Sequence, residues 1–138
     1  MVFINEAHSE FYERTMGNGT VDDCYHRALV YTLGICDDTR KRFDEMYDKG
    51  ERSIKRGAIN AGWQTGGSLK VTRLAFNLFT DLPATAYGVA DKGDFGECKR
   101  YSVSDIFCCG FAPFFVEAIR LRYPEYMGRS GVGPGSGL

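Results

Sequence analysis

Four side chains of types that commonly bind zinc lie on or beside the predicted helices of this sequence. His8 lies on the apolar face of the first predicted helix, Cys36 lies between two predicted helices, and Cys108 and Cys109 lie at the end of a later one. Structural zinc sites draw four ligands from thiolates and imidazoles, and three thiolates with one imidazole is a common set. No CxxC pair is present, but helices packed together could bring these ends around one ion. The sequence therefore predicts a zinc site at His8, Cys36, Cys108 and Cys109.

Three other interpretations of the cysteines and histidines stay open. The cysteines could pack as small apolar side chains, with His8 bonding a main-chain carbonyl, because an imidazole without a partner on an apolar face costs free energy. Cys24 and His26 form a competing pair, although helical neighbours two residues apart point to different faces. A thiol–imidazole pair of Cys36 with His8 can be written, but no nucleophile elbow or oxyanion loop accompanies it. We therefore expect a protein that is not an enzyme.

A second candidate site is a basic stretch that contains no acidic residue between Glu51 and Asp81. A glycine-rich loop around Trp63 leads there into a helix whose free N–H groups would attract an anion. It lacks the Gly-Lys-Ser/Thr ending of a Walker A loop. Trp63 could stack on a base, anchor a protein partner, or be wrapped into the core by the loop. The predicted partner-binding or anion-binding residues are Arg52, Lys55, Arg56, Trp63, Lys70 and Arg73.

Composition limits the class of protein. The chain is 43% hydrophobic and 14% aromatic, which is typical of a folded domain. Its formal charge of −1 does not favour direct binding of nucleic acid or a membrane, since phosphate contacts need a clear excess of Lys and Arg. Five cysteines, an odd number, are typical of a reducing compartment. Without a signal peptide or a membrane-spanning run in the sequence, we expect a cytoplasmic protein.

Periodicity predicts the elements that position these residues. Asn5 caps a first helix with Phe11 and Tyr12 beside His8, and the run 28–33 is apolar on nearly every side, as in a central helix that ends at Gly34. Further helices begin at Asp37 or Asp38, at Ser68, at Ser102 or Ser104, and near Pro113. We predict a mainly α, compact, single-domain helical bundle of about five or six helices.

Two segments fall outside this helical pattern. Turn-forming residues around 91–96 leave room for a small β-hairpin near 84–101. Residues 128–138 hold five glycines and no aromatic residue. The predicted organisation is a globular domain over 1–127 and a flexible glycine-rich tail over 128–138.

Several strings in the chain together resemble a known family. They lie at residues 7–12, 31–40, 62–66 with 70–78, 106–109 and 121–126. The chain resembles a family of small uncharacterised proteins of Gram-positive bacteria and their phages, and the match covers about residues 4–126. The strings include the four predicted zinc ligands, so the resemblance adds weight to that site.

The resemblance also implies a function. Small phage proteins are often inhibitors of host defence, and this chain is similar in kind to the zinc-containing anti-CRISPR proteins that act on type II RNA-guided nucleases. It thus implies a phage-type inhibitor that binds a host nuclease in the bacterial cytoplasm, with a bound zinc ion stabilising its fold. The alternative is a nucleic-acid or nucleotide-binding module that uses the Trp63 loop and the following helix.

Overall fold

The computed structural model describes residues 1–83 and 95–128, and it confirms a mainly helical domain. Within this described part, the helical content is divided into nine α-helical segments rather than five or six, because the predicted third helix breaks in two and short helices form at 95–99 and 124–127. The α-helices are α1 (Glu6–Gly17), α2 (Cys24–Gly34), α3 (Asp37–Lys41), α4 (Phe43–Met46), α5 (Gly66–Thr80), α6 (Phe95–Lys99), α7 (Val103–Phe107), α8 (Ala112–Arg122) and α9 (Pro124–Met127). The remaining elements are β1 (Tyr47–Asp48), β2 (Ser53–Ile54) and a 3-10 helix (Arg56–Asn60).

The central element is α2, as its uninterrupted apolar run predicts. Residues 28–34 are all buried, and α2 packs against α1, α5 and α8. Asp23 caps its N-terminus by accepting a hydrogen bond from the main-chain N–H of His26 at 2.7 Å. The other three helices therefore form a shell around α2, and their inward faces supply most of the core.

The close approach of α1 to α2 depends on Gly34, the last residue of α2. A Cβ atom at this position would lie 2.8 Å from Cδ2 of His8 and 2.8 Å from Cδ2 of Phe11. Carbon atoms do not approach so closely without a shift of the neighbouring rings. Gly34 thus ends the helix, as predicted, and also makes room for the ring of His8.

Helix α5 carries the clearest amphipathic stripe of the sequence. The residues of this stripe, Val71, Leu74, Ala75 and Leu78, are spaced for one helix face, and all four are buried. Its N-cap is Thr65 rather than the predicted Ser68. Thr65 Oγ1 accepts from the main-chain N–H of Ser68 at 3.2 Å, while Ser68 Oγ accepts from the N–H of Thr65 at 2.7 Å. This reciprocal pair is a capping box, in which two side chains serve two helix-end N–H groups.

The predicted third helix breaks at Arg42 into α3 and α4, and the chain then enters a small antiparallel sheet. Tyr47 pairs with Ile54, and Asp48 pairs with Ser53. The small sheet of the described residues therefore lies within 47–54. Residues 84–94 of the predicted hairpin lie outside the described residues, and Phe95–Lys99 form α6.

The C-terminal helices follow the caps that the sequence indicates. Ser102 caps α7 by accepting from the N–H of Asp105 at 3.1 Å, and Pro113 lies in the first turn of α8. The predicted tail from 129 onward lies outside the described residues. In the described part of the chain, no helix has both the length and the apolar character needed to cross a bilayer.

Candidate functional site

His8 is fully buried, and both of its ring nitrogens have hydrogen-bond partners. Nε2 lies 2.7 Å from the main-chain oxygen of Tyr31, and Nδ1 accepts from the main-chain N–H of Ile4 at 3.2 Å. These bonds require a neutral imidazole with its proton on Nε2, which donates to Tyr31. Burial lowers the pKa of His8 from 6.5 to about 4, so the neutral form prevails near neutral pH. This histidine bonds a main-chain carbonyl, as proposed in the interpretation in which the cysteines pack as apolar side chains.

The structure does not bring the four predicted zinc ligands together. Across residues 1–83 and 95–128, no three His, Cys, Asp or Glu side chains form a group that could hold a metal ion. Cys36 and Cys109 are half-buried, Cys108 is exposed, and the thiol of Cys109 lies 3.6 Å from the main-chain oxygen of Ile106. To coordinate zinc through Nε2, His8 would have to give up its bond to Tyr31. In this arrangement no three of the four predicted ligands come together.

Both ring nitrogens of the second histidine, His26, also have hydrogen-bond partners. Its Nδ1 lies 2.9 Å from Asp23 Oδ1, and its Nε2 lies 2.9 Å from the hydroxyl of Tyr47. Burial raises the pKa of Tyr47, so this hydroxyl keeps its proton near neutral pH. Burial alone would raise the pKa of Asp23, but the hydrogen bonds from His26 lower it overall. Both histidines of the chain therefore bond to other groups, and neither has a free nitrogen to activate Cys36.

Two cations of the basic stretch form ion pairs with acidic residues that follow later in the chain. Arg73 forms two bonds with the carboxylate of Glu97, at 2.9 and 3.1 Å, and both side chains are largely buried. Lys70 donates to the main-chain oxygen of Asp105, and its Nζ lies 3.6 Å from Asp105 Oδ1. These two cations tie α5 to α6 and α7. Their charges are therefore compensated within the fold.

The other predicted anion-binding features also have structural roles. The capping box occupies the N–H of Ser68, so the start of α5 is closed to a ligand at that group. Trp63 packs against the core, with the guanidinium carbon of Arg42 lying 4.9 Å from the ring centroid. Lys55 donates to the main-chain oxygen of Asp44 at 2.8 Å, while Arg52 and Arg56 are exposed. The loop thus wraps Trp63 against the core, although its buried Nε1 finds no acceptor in the residues described.

One surface that the sequence did not indicate is held in place by buried residues. The N-terminal segment is anchored at Ile4 by His8 and at Val2, whose main-chain oxygen accepts from the hydroxyl of Tyr31. Phe3 packs on the rings of His8 and Tyr31, with centroids 5.0 and 5.8 Å away. This anchoring positions the side chain of Val2 next to α8.

There, apolar side chains line a groove of about 410 Å³ that is open to solvent. Val2 is 59% exposed and Val116 is 42% exposed. Glu117 and Arg120 line the same groove and carry opposite charges. We call the groove residues Val2, Pro113, Phe114 and Val116 the Val2–Val116 surface. Sequence reasoning missed it because only the fold brings residue 2 beside residues 113–116.

Comparison with known proteins places the chain in one family. No curated protein and no solved structure matches it significantly. A family model described as a family of unknown function, DUF6075, matches residues 1–131, which is nearly the whole chain. The chain therefore belongs to the DUF6075 family.

Proposed function

We propose that this protein acts by binding another protein through the Val2–Val116 surface. The observation that carries the proposal is that exposed apolar side chains share one groove on a backbone that is fixed from beneath. Exposed apolar side chains that lie together on a protein surface can mark an interaction site. A bound partner would shield these exposed side chains from water.

The chemistry of the groove suits a protein partner. Its centre is apolar, while Glu117 and Arg120 supply a charged edge of both signs. Protein interfaces commonly combine an apolar centre with a polar rim. Because Tyr31 and His8 already hold the N-terminal segment, little conformational entropy would be lost when a partner binds. The surface is thus organised before the partner arrives.

For the partner, we propose a host defence nuclease of the RNA-guided type II class, bound in the manner of an anti-CRISPR inhibitor. This choice is supported by the resemblance to small phage-type proteins and by the formal charge of −1, which suits a protein partner better than a phosphate backbone. The nucleic-acid alternative has less support. Lys70 and Arg73, on which it relied, are compensated by Asp105 and Glu97.

A pull-down with a purified type II nuclease loaded with guide RNA tests both parts of the proposal. We expect a complex at micromolar concentrations with the wild-type chain. Val116→Asp places a carboxylate in the apolar groove and should weaken binding by at least about tenfold, because burying an unpaired charge is costly. The matched control is Val103→Asp, since Val103 is 75% exposed on α7 and does not line the groove. That variant should bind like the wild type.

The outcomes separate the surface from the partner. If no complex forms with the nuclease, the choice of partner is wrong. If Val116→Asp and Val103→Asp bind the nuclease equally well, the Val2–Val116 surface is not the interface. Thermal unfolding of both variants establishes that each is folded before its binding is compared.

A further inference from the structure

A second pocket, which shares no residue with the Val2–Val116 surface, carries four cations in its wall. It has a volume of about 310 Å³ and lies between α1, α3, α4 and β1. The rings of Phe11, Phe43 and Tyr47 contribute to its wall, and Phe43 stacks on Tyr47 with centroids 5.5 Å apart. The basic residues that line it are Arg14, Arg40, Lys41 and Lys49. We call it the cationic pocket.

The charge of this pocket contrasts with that of the whole chain. Four cations and one carboxylate, Asp44, line the pocket, and Arg40 also pairs with Asp37, so four positive and two negative charges leave a net charge of +2 in a protein whose formal charge is −1. Like charges gathered around one concave space repel one another, and the space between them holds a positive potential. An anion in the pocket would relieve that repulsion.

The ends of α1 and α3 offer a competing explanation, because cations are favoured beside the carbonyl groups at a helix C-terminus. This explanation accounts for two of the four cations, since Lys49 donates to the main-chain oxygen of Asn18 at 3.1 Å and Arg40 donates to that of Gly34 at 2.8 Å. It does not account for the other two, and Thr20 Oγ1 already donates to the main-chain oxygen of Thr15 at 2.7 Å. Within residues 1–83 and 95–128, the side chains of Arg14 and Lys41 make no hydrogen bond or ion pair. These two exposed cations are therefore available to a ligand.

We propose that the cationic pocket binds a small phosphorylated compound that carries two to three negative charges, such as a diphosphate group. A guanidinium presents paired N–H donors that match the oxygens of a phosphate, and an ammonium adds a point charge. The volume lies near the lower end for small-molecule sites, which suits a compact ligand. The aromatic wall provides a place for an apolar or ring-shaped part of that ligand. This site shares no residue with the Val2–Val116 surface, so either proposal can fail alone.

Titration of the ¹⁵N-labelled protein with inorganic diphosphate tests the proposal. We expect amide shifts that saturate and that map to residues around Arg14, Lys41 and Lys49. Arg14→Glu and Lys41→Glu should each weaken binding by about tenfold or more, the loss expected for one charged hydrogen bond. Both side chains are exposed, so the folded spectrum should persist in these variants.

The control is Lys99→Glu, which changes the net charge by the same amount at an exposed position on α6, outside the pocket. It should weaken diphosphate binding by less than about twofold, as expected for a screened, distant charge. Citrate serves as the carboxylate probe. Absence of saturable shifts at the pocket, an equal effect of Lys99→Glu, or tighter binding of citrate than of diphosphate would overturn the proposal.

Discussion

Replacing His8 by alanine is expected to lower the free energy of unfolding by about 3 kcal/mol at pH 7. The substitution removes a fully buried ring and leaves the main-chain N–H of Ile4 and the oxygen of Tyr31 without their partners. It should also free the N-terminal segment, which presents Val2 to the proposed partner. Chemical denaturation measures the first effect, and the pull-down described above measures the second.

The same residue should make stability depend on pH. The folded pKa of His8 is about 4 and the unfolded value is 6.5, so the unfolded chain binds the proton more readily. The contribution of neutral His8 to the free energy of unfolding is therefore fully present above pH 6.5 and is lost as the pH falls toward 4. The shift corresponds to a loss of about 3 kcal/mol over that range.

His8→Phe isolates this contribution, because it keeps an aromatic ring but removes the titrating group. The difference in unfolding free energy between wild type and His8→Phe should shrink as the pH falls from 7 to 4. Acidic groups contribute equally to both proteins, so they cancel in the difference. An identical pH dependence in the two proteins would show that His8 is not a buried neutral imidazole.

Replacing Arg122 by alanine is the second substitution with a large expected effect, about 3 kcal/mol of unfolding free energy. The buried guanidinium donates from Nε to the main-chain oxygen of Leu78 at 2.8 Å and from Nη2 to Asp81 Oδ1 at 2.9 Å. Its carbon also lies 3.9 Å from the ring centroid of Tyr25 and 4.5 Å from that of Tyr123. One side chain thus joins α8 to the end of α5 and to α2.

Two further variants show which of these contacts matters. Arg122→Lys should recover only part of the stability, since a single ammonium cannot reproduce the planar fork or its stacking on two rings. Asp81→Asn should cost less than about 1 kcal/mol, because Asp81 is half-exposed and asparagine tolerates its left-handed backbone, with φ of 64°. Equal losses for Arg122→Ala and Asp81→Asn would mean that only the ion pair contributes. Thermal and urea unfolding provide the comparison.

The sequence predicted those parts of the fold that depend on local pattern. The apolar run 28–33 could only be a buried central helix, and the stripe from Val71 to Leu78 required one inward face. Caps such as Asn5 and Ser102 act within three residues, so their effect can be read locally. The break at Arg42 was missed, because the run from Asp37 to Tyr47 contains no residue that forbids a helix.

The candidate sites were harder to predict because they depend on pairing between distant residues. Nothing near Arg73 indicates that Glu97, which follows 24 residues later, will neutralise it. The apolar face around His8 does signal that the imidazole needs a partner, but sequence cannot distinguish a metal ion from the carbonyl of Tyr31, 23 residues away. The Val2–Val116 surface brings residue 2 beside residues 113–116 and leaves no local signal in the sequence.

The central claim is that His8 serves as a hydrogen-bond bridge between the N-terminal segment and α2, and so fixes the surface that we propose binds a partner. Zinc coordination by His8, Cys36, Cys108 and Cys109 is the rival role that the sequence raised. Metal analysis of the purified protein distinguishes the two most directly. We expect far less than one zinc ion per chain in the wild type. The zinc content of the Cys36→Ser variant should be the same. One equivalent of zinc in the wild type that is lost in Cys36→Ser would contradict the account.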